Sequence, residues 1–142
     1  MSSPEPAGLQ EKILVWLLRI GGVMTALAIP TAFLSATQMA EIHALLGMGE
    51  FPVTPITGYM ARSLSLLYGF HGVLLLVIST DVRRYRKLVV ALAWLMAGLG
   101  PGMLWIDLHS GMPLFWTLSE GPPLIAMALV MLYLSRSIPA DR

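Results

Sequence analysis

Long apolar runs alternate along this chain with short polar stretches, and four of the runs are long enough to cross a bilayer. A spanning helix needs about 20 predominantly apolar residues, because each residue rises about 1.5 Å and the hydrocarbon core is about 30 Å thick. Runs of that length fall at about residues 20–39, 58–80, 88–106 and 115–135. Ahead of them, Leu9, Ile13, Trp16, Leu17 and Ile20 recur at helical spacing, with Gln10, Glu11, Lys12 and Arg19 elsewhere on the wheel. That pattern predicts a short amphipathic segment at the membrane interface. Residues 1–8, with Pro4 and Pro6, read as a disordered tail, and residues 137–142 as a second tail. The predicted fold class is all-α: one four-helix transmembrane bundle over residues 9–136 with a short interfacial N-terminal segment.

The links sharpen the picture. The stretch 40–57 carries Glu41, His43, Glu50, Pro52 and Pro55 and is too polar to span, although residues 38–46 suit a short interfacial helix. Pro30 should kink the first span. Gly98, Gly100, Pro101 and Gly102 should interrupt the third, and Glu120-Gly121-Pro122-Pro123 should delay regular helix in the fourth until Ser119, a fitting N-cap. A cleaved signal peptide ending at Ala26-Leu27-Ala28 is the rival for the first span, but Arg19 would interrupt its apolar core and its leader is acidic.

Composition agrees with a lipid environment. The 142 residues are 56% hydrophobic and 12% charged, against about 25% charged in soluble domains. The formal net charge of +1 leaves no basic stripe for tracking phosphates, so nucleic acid is not an expected partner. Without cysteine there is no disulfide, thiol chemistry, thiolate zinc site or cysteine-bound cluster. Of the nine basic residues, Lys12, Arg19, Arg83, Arg84, Arg86, Lys87, Arg136 and Arg142 fall on one side of this topology. The positive-inside rule makes that side, and both chain ends, cytoplasmic in a bacterial inner membrane.

Arg62 is the ninth and lies about one turn inside the second span, near its outer end. Intramembrane charges generally pair and face the bundle interior, and Asp107 and Glu120 are expected at similar depth. Ser65, Gly69 and Gly72 continue the Arg62 face as a small-residue stripe, the mark of close helix packing. Tyr59, Trp105 and Trp116 should surround this layer. Arg62, Asp107, Glu120, Tyr59, Trp105 and Trp116 are therefore the candidate binding residues, although three charges tying helices together inside an aromatic belt would read the same way.

Glu41, His43, Glu50 and His109 in the outer loops are secondary candidates. With Asp107 and Glu120 they offer donors for a divalent metal, but no compact ligand motif appears. His71, near mid-bilayer, lies nine residues from Arg62 and so on the opposite helix face. It reads as a neutral side chain bonded to a backbone carbonyl rather than a haem ligand. No phosphate-binding loop, nucleophile elbow, dinucleotide fingerprint or internal repeat is present.

At Gly58-Tyr59-Met60-Ala61-Arg62-Ser63-Leu64-Ser65-Leu66-Leu67-Tyr68, Ile106-Asp107-Leu108-His109-Ser110-Gly111-Met112-Pro113-Leu114-Phe115-Trp116 and Glu120-Gly121-Pro122, the chain resembles small four-helix bacterial membrane proteins of planctomycete type. More distantly it is similar to the DoxX-like family, which includes proteins linked to quinone-coupled sulfur oxidation. The resemblance implies four short-looped spans and no particular residue role. Three functions fit these observations. One is a non-enzymatic or accessory membrane subunit with an outer-half polar pocket and a membrane-protein partner or second copy. Another is a quinone- or lipid-binding subunit in which Arg62, Asp107 and Glu120 hold a head group and Trp105 and Trp116 touch its ring or tail. The last is a small lipid-substrate isomerase using carboxylate proton transfer.

Overall fold

Four long apolar helices carry the fold, as the hydropathy pattern predicts. The computed structural model describes residues 8–138, so the tail expected at residues 1–8 lies outside the described residues except for Gly8. The helical segments are α1 (Leu9–Ala26), α2 (Ala28–Thr31), α3 (Ala36–Leu45), α4 (Pro55–Ile78), α5 (Arg86–Ser110) and α6 (Leu114–Ser135). By length and hydropathy, Leu9–Thr31, α4, α5 and α6 can each cross a membrane.

The first span differs from the sequence expectation. It begins at Leu9, with no separate interfacial segment before it, because Leu14 and Leu18 are one turn apart and both bury completely in the core. Two charges on this part of α1 have partners. The Glu11 carboxylate takes Arg83 Nε at 3.1 Å and Nη2 at 2.9 Å, and the Arg19 guanidinium lies 5.9 Å from the Trp16 ring centroid. The kink expected at Pro30 appears as the break at Leu27 between α1 and α2. Proline has no N–H for residue 26 and its ring crowds that carbonyl, so α1 stops at Ala26.

Two other interruptions expected from sequence do not occur. α5 runs through Gly98-Leu99-Gly100-Pro101-Gly102, and α6 starts at Leu114 and continues through Pro122 and Pro123. Pro101 and Pro123 sit on exposed helix faces, where the rings have room. Ser119 is consequently no N-cap but a mid-helix residue whose hydroxyl donates to Trp116 O at 2.9 Å. Gly111, with φ of 65°, ends α5 in the left-handed conformation that favours glycine.

The helices associate as two antiparallel pairs. α5 packs on α6, the rod of α1 and α2 packs on α4, and α1 meets α6 to join the pairs. Glycines set both close crossings. A Cβ at Gly22 would stand 2.9 Å from Gly72 O, and one at Gly72 would be 2.6 Å from Gly22 O. Across the other pair, a Cβ at Gly121 would stand 2.8 Å from Gly100 O. The Gly69 and Gly72 stripe read from sequence therefore meets α1 and α2 directly, with Ile29 seated over Gly69.

Most of the large buried side chains gather toward one end, Met39 of α3 being an exception. Leu14, Leu18, Leu75, Ile78, Val82, Val89, Leu92, Ala93, Met96, Ala128, Met131, Leu134 and Ile138 form one cluster, all from the half of each helix nearest the Arg83 to Lys87 link. We call this the basic end and the opposite one the α3 end. Arg86 Nε closes the basic end by donating to Ser135 O at 2.9 Å. Ile138, expected in a tail, is part of this core.

Candidate functional site

At the α3 end the chain leaves α2 and folds a short helix over the mouth of the bundle. Its start is fixed by a capping box: Gln38 N donates to Ser35 Oγ at 3.2 Å and Ser35 N donates to Gln38 Oε1 at 2.9 Å. α4 then begins at Pro55, with Thr54 Oγ1 accepting from Thr57 N at 3.2 Å. Between these elements lies a cavity of about 300 Å³, at the lower bound of ligand pockets (about 300–1,000 Å³). Thr31 and Leu34 form one wall, Ala61 and Ser65 of α4 another, and Met39, Ile42 and His43 of α3 the roof. Leu46, Met48, Phe51 and Trp116 complete it. Its polar edge is the Thr31 to Ser65 hydroxyl bond of 2.9 Å.

Arg62 stands beside this cavity, on the turn after Ala61. Its guanidinium folds back along α4, donating from Nη1 to Gly58 O at 3.1 Å and from Nη2 to Leu34 O at 2.9 Å. Arg62 thus ties α4 to the end of the first span. Among the described residues no ion pair joins it to Asp107 or Glu120.

The two carboxylates have other surroundings. Glu120 accepts from Tyr68 Oη at 3.1 Å and from Trp116 Nε1 at 3.0 Å, one donor on each oxygen. This strap connects α4 to α6 across the gap between the helix pairs. Asp107 shares the α6-facing side of α5 with Gly100 and Leu104. It is only 3% exposed, and its Oδ2 is buried with no hydrogen-bond partner among the described residues. Tyr68 is within electrostatic range of Asp107 as well as Glu120.

The six primary candidates therefore do not form one constellation. Trp116 and Glu120 are bonded together, Arg62 stands at the cavity edge, and Asp107 is buried on α5. Tyr59 and Trp105 are largely exposed, Trp105 lying 4.3 Å between centroids from His109. The secondary candidates are dispersed as well. His43 Nδ1 lies 3.1 Å from Gly49 O with its ring against Phe51, His109 Nδ1 lies 2.9 Å from Trp105 O, and Glu41 and Glu50 are exposed. Among the described residues no three His, Asp or Glu side chains gather as a metal site.

His71 corrects a sequence expectation. Its half-buried ring has no hydrogen bond to a backbone carbonyl or any other described group. Sequence reasoning also gave no site role to Tyr68, Thr31 or Ser65, or to Met39 and Ile42 of α3, whereas His43 of the same helix was a secondary candidate and does line the cavity. The small-residue stripe flagged Ser65, and the short interfacial helix expected over residues 38–46 was the one signal for α3. Nothing in spacing links Tyr68 to Glu120, 52 residues away.

Compared with protein-family models, curated proteins and solved structures, the chain gives no match in any of the three. A functional reading therefore rests on the residues themselves.

Proposed function

We propose that this chain is a multi-pass protein of a bacterial inner membrane, both ends cytoplasmic, serving as a non-enzymatic or accessory subunit that holds the apolar chain of a lipid. The observation that carries this reading is the cavity beneath α3, with its wall of Leu34, Met39, Ile42, Leu46, Met48 and Phe51. Such a surface rewards an acyl or isoprenoid chain and offers a sugar or nucleotide little. The basic end, with Arg83, Arg84, Arg86 and Lys87 in one link, supports the orientation. The cavity then opens in the outer leaflet.

A second reading is an isoprenoid quinone with its tail in the same cavity. It is favoured by Trp116, which lines the cavity while its indole N–H engages Glu120, so an aromatic face and a polar strap meet at one point. The resemblance to the DoxX-like group accords with that reading. A lipid-substrate isomerase would need one of the two carboxylates to exchange protons with substrate, and Glu120 has both oxygens already engaged by donors.

Mass spectrometry and an absorption spectrum of gently purified protein test these readings together. Chain-bearing lipid should co-purify with the native chain and be depleted at least several-fold in Ala61→Trp, whose indole fills the cavity, at unchanged helical content. A quinone absorption that bleaches on reduction would select the second reading. Lipid retained equally by Ala61→Trp would sink both.

A further inference from the structure

The ligand's polar end has a recognisable partner in the same region. Among the described residues, Arg62 is the one Lys or Arg that lies in the α3 half. It uses two of a guanidinium's five N–H donors, both on backbone carbonyls, and pairs with no carboxylate among the described residues. Its charge is therefore uncompensated at a membrane depth where charges are generally paired.

The direction of the side chain matters. By bonding Gly58 O, one turn back, the guanidinium is carried along α4 toward the α3 end, the way a long cation snorkels to reach the head-group layer. The adjoining Leu34 both accepts from Arg62 through its carbonyl and lines the cavity through its side chain. Ala61, the residue before Arg62, lines it too. A single ligand with an apolar chain and an anionic head would occupy the cavity and the free face of the guanidinium at once.

We infer that Arg62 and the α3 cavity form a binding site for an anionic phospholipid, with one acyl chain in the cavity and the phosphate on Arg62. This rests on the reading of the cavity as a chain site and adds the chemistry of the head. The free N–H donors suit phosphate oxygens, since guanidinium to phosphate bonds are charge-assisted and planar. A neutral lipid would fill the cavity and leave the cation bare.

The test is native mass spectrometry of the full chain in mild detergent with phosphatidylglycerol, with diacylglycerol of the same acyl chains, and with glycerol phosphate alone. The native chain should bind phosphatidylglycerol roughly tenfold more tightly than diacylglycerol, the worth of one charge-assisted contact, and should not bind glycerol phosphate measurably. Arg62→Gln should bring phosphatidylglycerol down to the diacylglycerol level while diacylglycerol stays unchanged, and Arg62→Lys should fall between. Equal binding of the two lipids by the native chain overturns the inference even if Arg62→Gln fails to fold. So does selectivity that survives in Arg62→Gln, or glycerol phosphate binding as tightly as the lipid, which would make the site one for a soluble anion. Ala61→Trp separates the two levels. Loss of both lipids in that variant, combined with no head-group selectivity in the native chain, leaves the chain site standing and removes the phosphate. Both lipids retained by that variant removes the chain site.

Discussion

The basic half and the α3 half of this bundle are built on different terms. In the basic half, large side chains from all four spans interlock: Leu18, Leu75, Val89 and Met131 are almost fully buried, and the Glu11 to Arg83 ion pair and the Arg86 to Ser135 carbonyl bond help to close the end. From the middle of the bundle toward the α3 end, close contact within each helix pair depends on glycines, and among the described residues the gap between pairs is bridged by the Tyr68 to Glu120 bond. Lipid tails are as apolar as leucine, so helices in a bilayer associate through fit and polar bonds rather than expulsion from water. A half that gives up side-chain interlocking has room for a cavity, and that is the half that contains it.

The contrast can be broken most severely at a crossing. Gly72→Leu should separate α1 from α4 and abolish the folded state in detergent, because even its Cβ would collide with Ala26 N, Gly22 O and Thr25 Oγ1. Gly98→Leu, where a Cβ meets nothing within 4 Å, should stay within about 0.5 kcal/mol of the native chain. Thermal unfolding followed by circular dichroism compares them, and equal losses would dispose of the glycine-crossing account.

A smaller effect is expected in the core. Met131→Ala, at a fully buried position, should lose about 2 kcal/mol, the low end for such truncations because lipid removes much of the water-transfer contribution. Leu118→Ala on the exposed face of the same helix should lose far less. Similar losses at both positions would mean that the basic half is not where packing energy resides.

Changes to the ties range from an effect comparable to the core truncation down to the mildest. Glu11→Gln weakens a carboxylate that takes three Arg83 contacts with both side chains mostly buried, and should cost about 1.5–3 kcal/mol. Glu120→Gln keeps one acceptor for either Tyr68 or Trp116 and should cost about 1 kcal/mol, while loosening the α3 half enough to speed amide exchange there. If Glu120→Gln proves the more damaging, the strap is a structural keystone and the α3 half is less permissive than its packing suggests.

Much of the fold was legible along the chain. Spans two to four sit within a few residues of their expected bounds, and α3 (Ala36–Leu45) overlaps the short helix expected over residues 38–46. The first long helix begins earlier than expected, because the stretch from Leu9 that reads as a separate amphipathic segment is continuous with the apolar run after it and buries Leu14 and Leu18. The proline and glycine clusters were over-read as breaks. A ring on an open helix face costs one hydrogen bond, yet the neighbouring turns hold.

The candidate site was less legible than the fold. Arg62 was singled out as unusual, since a lone charge in an apolar span is visible in one dimension. Its partners were not, and depth alone suggested Asp107 and Glu120.

Sequence by itself determined four apolar spans, a basic end and a polar end, and the small-residue face by which α4 meets its neighbour. Those follow from length, charge and periodicity, which are properties of one helix at a time. The tertiary structure alone decided that Leu34 and Gly58 carbonyls hold Arg62, that Tyr68 and Trp116 hold Glu120, and that Asp107 is buried unpaired. Each of those depends on the order in which helices pair and on how each is rotated about its axis, and a linear pattern constrains neither.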